Sequence, residues 1–152
     1  MDPWAPNGSA CSPYNDCALD SLTSGDFNKD GKMDVATPGG VLYGNGNGTL
    51  QAALAFSAGT VAEWVASGDF NHDGYSDLAV GNFEGVNVSV LFGGLQAVTQ
   101  PLRVSSGGHP HAIATGNFNK DGNADFAVAS YDGNRAQIFW AMETAPSRRL
   151  RP

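Results

Sequence analysis

The sequence predicts an all-β protein built from repeated small antiparallel sheets, and three observations lead there. The 152 residues include 20 Gly and 8 Pro, residues that interrupt helices, which argues against a helical bundle or coiled coil. Short apolar runs are bounded by Gly and Asn, the punctuation of strands and tight turns. One segment also occurs three times: SGDFNKDGKMDVA from Ser24 to Ala36, SGDFNHDGYSDLA from Ser67 to Ala79, and TGNFNKDGNADFA from Thr115 to Ala127. Seven positions are identical in all three copies, and the spacings are 43 (Asp26 to Asp69) and 48 (Asp69 to Asn117). The chain is therefore built from units of roughly 45 residues.

The units parse in order. Residues 1–18 match no unit. They hold the only two cysteines, Cys11 and Cys17, spaced C-x5-C. A small disulfide-stapled loop is favoured because it fits the secreted context that the Asp-rich loops further along the chain imply; a two-Cys metal site would need partners that no other Cys supplies, and free thiols are the alternative. Unit one (19–60) offers strands at Leu19–Ser24, Met33–Thr37 and Val41–Tyr43, and a fourth near Leu54–Ser57. QAALAF (51–56) is too short for a stable helix and falls at a strand position. Unit two (61–108) offers Val61–Ser67, Asp77–Gly81, Val86–Phe92 and Val98–Val104. In the third of these, Val86, Val88, Val90 and Phe92 alternate with Asn87, Ser89 and Leu91, the period of a strand with two unlike faces. Unit three (109–143) offers His111–Thr115, Ala124–Ser130 and Ala136–Trp140. Its fourth strand is missing from the pattern, and 144–152, with Arg148, Arg149 and Arg151, reads as a flexible tail.

Four strands per 40–50 residues is the period of a propeller blade. The expected fold is thus about three four-stranded antiparallel blades of a β-propeller, with the ring incomplete within one chain. A blade cannot bury both faces alone and must stack on neighbours. Phe27, Phe70 and Phe118 hold the same place in each unit and are expected to pack between blades.

The Asp-rich loops carry the chemistry. In the first, Asp26, Asn28, Asp30 and Asp34 place side-chain oxygens at loop positions 1, 3, 5 and 9. Gly31 at position 6 permits the sharp turn, and the carbonyl of Lys32 at position 7 adds a fifth oxygen. The second loop offers Asp69, Asn71, Asp73 and Asp77 with the carbonyl of Tyr75. The third offers Asn117, Asn119, Asp121 and Asp125 with the carbonyl of Asn123. A hard cation such as Ca²⁺ takes six to eight oxygens at about 2.3–2.6 Å, whereas Mg²⁺ demands a strict octahedron and keeps its waters. Up to three Ca²⁺ are expected, weakest at the third loop, which has two carboxylates instead of three. An EF-hand would need a Glu at position 12 and flanking helices; here position 12 is Thr37, Val80 or Val128, and strands flank the loop. A single D-G turn would be ordinary hairpin chemistry; three matched copies favour metal.

The units resemble FG-GAP/VCBS repeats, the blades of integrin-α-like β-propellers. The resemblance rests on GDFNKDGKMD, GDFNHDGYSDLAVGN, GNFNKDGNADFAV, VSVLFGG and GNGNGTL, and covers about residues 20–140. It implies a secreted or cell-surface propeller with Ca²⁺ loops on one rim, acting in adhesion or in glycan or protein binding. A closed propeller has about four to eight blades, so the partners expected are copies of this chain or missing blades of a larger one. The alternative function is a structural subunit that self-assembles by blade stacking into a ring or a filament.

Charge and the remaining motifs bound the other classes. The formal net charge is −7 and the pI near 4.6, which argues against nucleic acid, whose phosphates need clustered Lys and Arg. No apolar run approaches the roughly 18 residues of a membrane span, and Met1 opens no basic-then-apolar leader. Of 15 acidic residues, 12 are Asp, and the loops hold three, three and two, eight in all. Three bound Ca²⁺ would bring −7 to −1. No enzyme is expected, because no nucleophile–base constellation stands out and Asp132, Glu63 and Glu84 are not grouped. His109-Pro110-His111 reads as a turn entering a strand, and His72 as solvated. Trp4, Trp64 and Trp140 could stack on sugar rings, but Trp64 and Trp140 lie in strand runs and read as packing residues. Asn7, Asn47 and Asn87 open N-x-S/T sequons, which matter only where the source glycosylates.

Overall fold

A computed structural model describes residues 21–94 and 101–141. The described residues form strands without helices, in three separate antiparallel sheets. The first blade runs β1 (Thr23–Gly25), β2 (Asp34–Thr37), β3 (Gly40–Leu42) and β4 (Leu54–Ala55). The second runs β5 (Ala62–Gly68), β6 (Asp77–Asn82), β7 (Asn87–Leu91) and β8 (Leu102–Ser105). The third runs β9 (Pro110–Gly116), β10 (Asp125–Ser130) and β11 (Arg135–Phe139). Within each sheet the strands lie in chain order. Each lies where the repeat places it, to within a few residues. The fourth strand of unit three, absent from the pattern, is absent among the described residues. Cys11, Cys17, Trp4, Asn7 and the basic tail lie outside them.

The repeat in sequence is a repeat in register. Gly25 faces Asp34, Gly68 faces Asp77 and Gly116 faces Asp125 across the first strand pair. Across the second, Val35 faces Leu42, Leu78 faces Leu91 and Phe126 faces Phe139. A slip of one residue would invert every face, so the three blades share one inside-out assignment.

The core lies between sheets. Phe27, Ala36 and Val41 of the first blade meet Val65, Leu78, Val80 and Leu91 of the second. Phe70, Ala79, Val88, Val90 and Phe92 of the second meet Phe126, Val128 and Phe139 of the third. Each large apolar side chain buried there contributes about 1.5–3 kcal/mol. Phe126 sits edge-on to Phe70, ring centroids 5.2 Å apart, and stacks on Phe139 at 4.9 Å, arrangements favoured by the ring quadrupole.

The two-faced reading of residues 86–92 needs correction. Val88 to Phe92 are all buried, because the second blade is sandwiched. Leu91 faces the first blade while Val88, Val90 and Phe92 face the third. Val86 instead closes the preceding turn at φ 51. Ser89 is buried by a polar route: its hydroxyl donates to the Ala58 carbonyl at 2.7 Å and accepts from Asn82 Nδ2 at 2.9 Å. Hydroxyls also join the inner strands. Thr23 Oγ1 and Ser67 Oγ lie 2.7 Å apart, and Ser67 Oγ donates to the Ser24 carbonyl at 3.0 Å.

Phe118 departs from expectation. Phe27 and Phe70 are 4% and 2% exposed, whereas Phe118 is 45% exposed. The described residues provide no further blade on its side.

Candidate functional site

The three loops connect β1 to β2, β5 to β6 and β9 to β10, all at the same end of their blades. Neighbouring loops touch. Ser76 N donates to the Asp26 carbonyl at 3.3 Å, and Lys29 Nζ reaches the Asp73 carbonyl at 3.4 Å while lying 4.8 Å from the centre of the Tyr75 ring. The rim expected from the repeat is therefore a continuous surface over the first two loops.

Each loop closes by the same hydrogen bonds. The amide of position 5 is shared between the oxygens of positions 1 and 3: Asp30 N with Asp26 Oδ1 and Asn28 Oδ1, both at 3.1 Å. Asp73 N is shared by Asp69 Oδ1 at 3.1 Å and Asn71 Oδ1 at 3.0 Å. Asp121 N is shared by Asn117 Oδ1 and Asn119 Oδ1 at the same distances. The position-7 amides of Lys32, Tyr75 and Asn123 donate to Oδ1 of Asp30, Asp73 and Asp121 at 2.8–2.9 Å. Such local side-chain-to-backbone bonds are what Asp and Asn bring to turns. Gly31, Gly74 and Gly122 take φ of 80°, 82° and 95°, as the sharp turn requires. Position 4 is also left-handed, at φ 60–63° for Lys29, His72 and Lys120, which turns these side chains outward; His72 is exposed as expected.

The loops differ at position 1. Asp26 and Asp69 each spend their second oxygen on the glycine amide, Gly31 N and Gly74 N, at 2.9 Å. Asn117 has one acceptor oxygen and carries no charge. They differ also in what holds Oδ2 of position 5. In the first loop it is the exposed ion pair with Lys32 Nζ at 3.1 Å, whose side-chain bond holds the Asp30 carboxyl below its usual range. In the second and third loops it is the position-3 amide, Asn71 Nδ2 at 2.8 Å and Asn119 Nδ2 at 2.7 Å. Asp121 is likewise held low, first by the Asn123 amide and then by Asn119.

The position-9 aspartates do something the sequence reading missed. Asp34, Asp77 and Asp125 are fully buried. Their Oδ2 accepts from the amide of Phe27, Phe70 or Phe118 at 2.8–3.0 Å. Their Oδ1 accepts from Gly44, Gly93 or Ala141 at 2.8–2.9 Å. Each carboxylate thereby ties the base of its loop to the chain just beyond the third strand. The signal was present: an Asp at a core-facing strand start, directly before apolar residues, needs buried donors. Burial pushes the Asp77 carboxyl up to about 7, with the charges of Asp73 and Asp69 adding to the rise against the two amide bonds.

Among the described residues, no three Asp, Glu, His or Cys side chains stand together as a finished metal centre. Asp and Asn side-chain oxygens are of the donor type that hard cations take. Oxygens of positions 1 and 3 converge on one amide in every loop, while the position-5 and position-9 carboxyl oxygens accept from neighbouring donors of the protein.

The opposite rim carries other groups weighed above. His109-Pro110-His111 does enter β9, and Asp132 fixes it: His109 N donates to Asp132 Oδ1 at 2.8 Å, and His109 Nδ1 lies 2.7 Å from Oδ2. The backbone bond, then the side-chain one, hold Asp132 below its usual range. Trp64 packs as expected, its ring 5.3 Å from His111, which lies 5.7 Å from Tyr131. Of the sequons, Asn47 lies beyond β3 on the aspartate-loop rim instead, where it is exposed and its Oδ1 accepts from Thr49 N and Oγ1. Asn87 is half-buried, with its amide bonded at both ends, to Asn82 and to Gly85.

Set against known families, residues 61–91 match the FG-GAP repeat. The match runs from the first strand of the second blade, through its aspartate loop, to the end of β7. No curated protein matches the chain.

Proposed function

We propose that this chain, which carries an FG-GAP repeat, is a calcium-stabilised extracellular β-propeller module that presents its surface to a glycan or protein ligand, as in adhesion. FG-GAP repeats are a non-enzymatic module type, typical of extracellular and surface proteins. The observation that carries the reading is the loop that closes identically three times, with side-chain oxygens of positions 1 and 3 gathered on one amide. In the first loop Asp26, Asn28, Asp30 and Asp34 would hold the ion, with the Lys32 carbonyl. Asp69, Asn71, Asp73, Asp77 and the Tyr75 carbonyl would do so in the second. Asn117, Asn119, Asp121, Asp125 and the Asn123 carbonyl would serve the third.

Bound Ca²⁺ would offset the crowded carboxylates and lock each hairpin to its blade. Its binding free energy would become folding free energy: ten times Kd contributes about 1.4 kcal/mol per site. Extracellular modules bind Ca²⁺ at about 10⁻⁴–10⁻³ M, a range that keeps such sites filled only where calcium is abundant, outside the cell. Calorimetric titration of the chelated protein is the test. Up to three sites in that range, the weakest lost on Asp121→Ala, support the proposal; no calcium-dependent heat at millimolar Ca²⁺ overturns it.

A further inference from the structure

Beyond β3 the turn holds two Asn-Gly pairs, Asn45-Gly46 and Asn47-Gly48, that are alike in sequence and unlike in structure. Residues 45–50 are exposed. A bridge between Gly44 and Leu50 closes the turn, with Asn45 N donating to the Thr49 carbonyl at 3.0 Å. Thr49 then treats the two asparagines differently. Its amide and its hydroxyl both donate to Asn47 Oδ1, at 3.0 and 2.6 Å. Its hydroxyl oxygen accepts from Asn45 Nδ2 at 2.9 Å.

An asparagine loses its side-chain amide when the backbone nitrogen of the next residue attacks Cγ. Glycine is the most permissive next residue, since no Cβ screens its nitrogen. The bond from Asn47 Oδ1 to the amide two residues on is an Asx turn. It curls the side chain forward over its own peptide and keeps Cγ on the side of the Gly48 nitrogen, so less conformational search precedes attack. Negative charge then develops on Oδ1, where both Thr49 donors already point, as in an oxyanion hole. Asn45 lacks this arrangement. Its side chain stretches across the turn to Thr49, and the group that must leave, Nδ2, is the one that is held.

We propose that Asn47 is a self-modification site, its amide hydrolysed with Gly48 N as the nucleophile and Thr49 as the stabiliser of the oxyanion, while Asn45 is spared. The Gly48 N–Cγ bond forms, the Cγ–Nδ2 bond breaks, and Nδ2 leaves as ammonia with the Gly48 amide proton. Water opens the cyclic imide at either carbonyl, leaving aspartate or isoaspartate at position 47. One water is consumed, one ammonia is released, and nothing is oxidised or reduced. The formal net charge of −7 becomes more negative by one. The new carboxylate lands on the aspartate-loop rim, in a turn that lies against Lys32: a Cβ added at Gly46 would be 3.1 Å from Lys32 Cδ. Lys32 is the cation that pairs with Asp30, so the reaction sets a competing anion beside the first loop. It needs only water and stands or falls apart from calcium binding.

The test is peptide mapping by mass spectrometry of the full chain held in mildly alkaline buffer, once folded and once in denaturing urea. Folded, Asn47 should lose its amide several-fold faster than Asn45. In urea, where both are plain Asn-Gly pairs, the two rates should be alike. Thr49→Val keeps the backbone donor and takes the hydroxyl from both asparagines. In the folded chain it should slow Asn47 and quicken Asn45, narrowing their ratio several-fold, with circular dichroism unchanged. No loss at Asn47 in the folded parent overturns the proposal, as do equal rates at the two sites, faster loss at Asn45, or the same preference in urea; none of these outcomes depends on a variant. A ratio in the folded chain that Thr49→Val leaves untouched also overturns it.

Discussion

The second and third blades share a sequence pattern and a register, yet one is sandwiched and the other is open on one side. Phe70 and Phe118 occupy the same place in the repeat and differ in exposure, 2% against 45%. Val90 is fully buried where its equivalent Ile138 is half-buried. The pairings among the first three strands of each are the same, so that part of the blade is encoded locally, while burial is set by what stacks on it. The aspartate loops make the same point chemically. Both close on shared amides, but the second has Asp69 where the third has Asn117, so one fold supports two different charge states.

The largest effect should come from breaking the packing of one blade but not the other. Phe126→Ala removes a ring in contact with both Phe70 and Phe139 and should cost about 3–5 kcal/mol. Phe118→Ala, measured by denaturant unfolding of the dilute chain, should cost less than about 1 kcal/mol. Equal losses would break the comparison.

Next in size is the buried carboxylate. Asp77→Ala orphans the amides of Phe70 and Gly93, each at about 1–3 kcal/mol. Urea unfolding should show a loss of about 2–4 kcal/mol, whereas Asp73→Ala, on the exposed lip of the same loop, should cost under about 1 kcal/mol in chelator.

A smaller effect follows from titration. The Asp77 carboxyl is pushed up to about 7 in the folded chain, against about 3.9 when unfolded. Between those values the native state holds a proton that the unfolded chain has released, so stability falls as pH rises through that window and stays low above it. In chelator the parent should melt at a higher temperature at pH 5 than at pH 8. Asp77→Asn should flatten that slope, and an unchanged slope would place the titration elsewhere. The smallest effect separates the loops by charge: Asn117→Asp should tighten calcium binding at the third loop several-fold by calorimetry, leaving the other two unchanged.

How much was legible in the sequence follows from where each signal resides. Strands, blade number and loops were readable because each is set within one unit: the Gly at position 6, the alternation of oxygens, the Gly and Asn breaks. Phe27 and Phe70 fell between blades as the repeat suggested. What was hidden depended on neighbours. The run from Val86 reads as two-faced, but a blade on each side buries both faces. Ser89 and Asn82 look like solvent-facing polar residues, yet they bond each other and the Ala58 carbonyl in the interior. Asp34, Asp77 and Asp125 read only as metal ligands because their amide partners lie 7 to 16 residues away, beyond any local pattern. The pairing of His109 with Asp132 spans 23 residues and was invisible for the same reason.

The central claim is that calcium in the aspartate loops holds the blades folded. Thermal unfolding of the full chain, followed by circular dichroism in millimolar Ca²⁺ and again in EDTA, tests it most directly. With sites filled at ten times Kd, and about 2–4 °C per kcal/mol for a chain of this size, the account predicts a melting temperature at least about 5 °C higher with Ca²⁺. Asp26→Ala with Asp69→Ala should erase most of that difference. The same melting temperature in Ca²⁺ and in EDTA would contradict it.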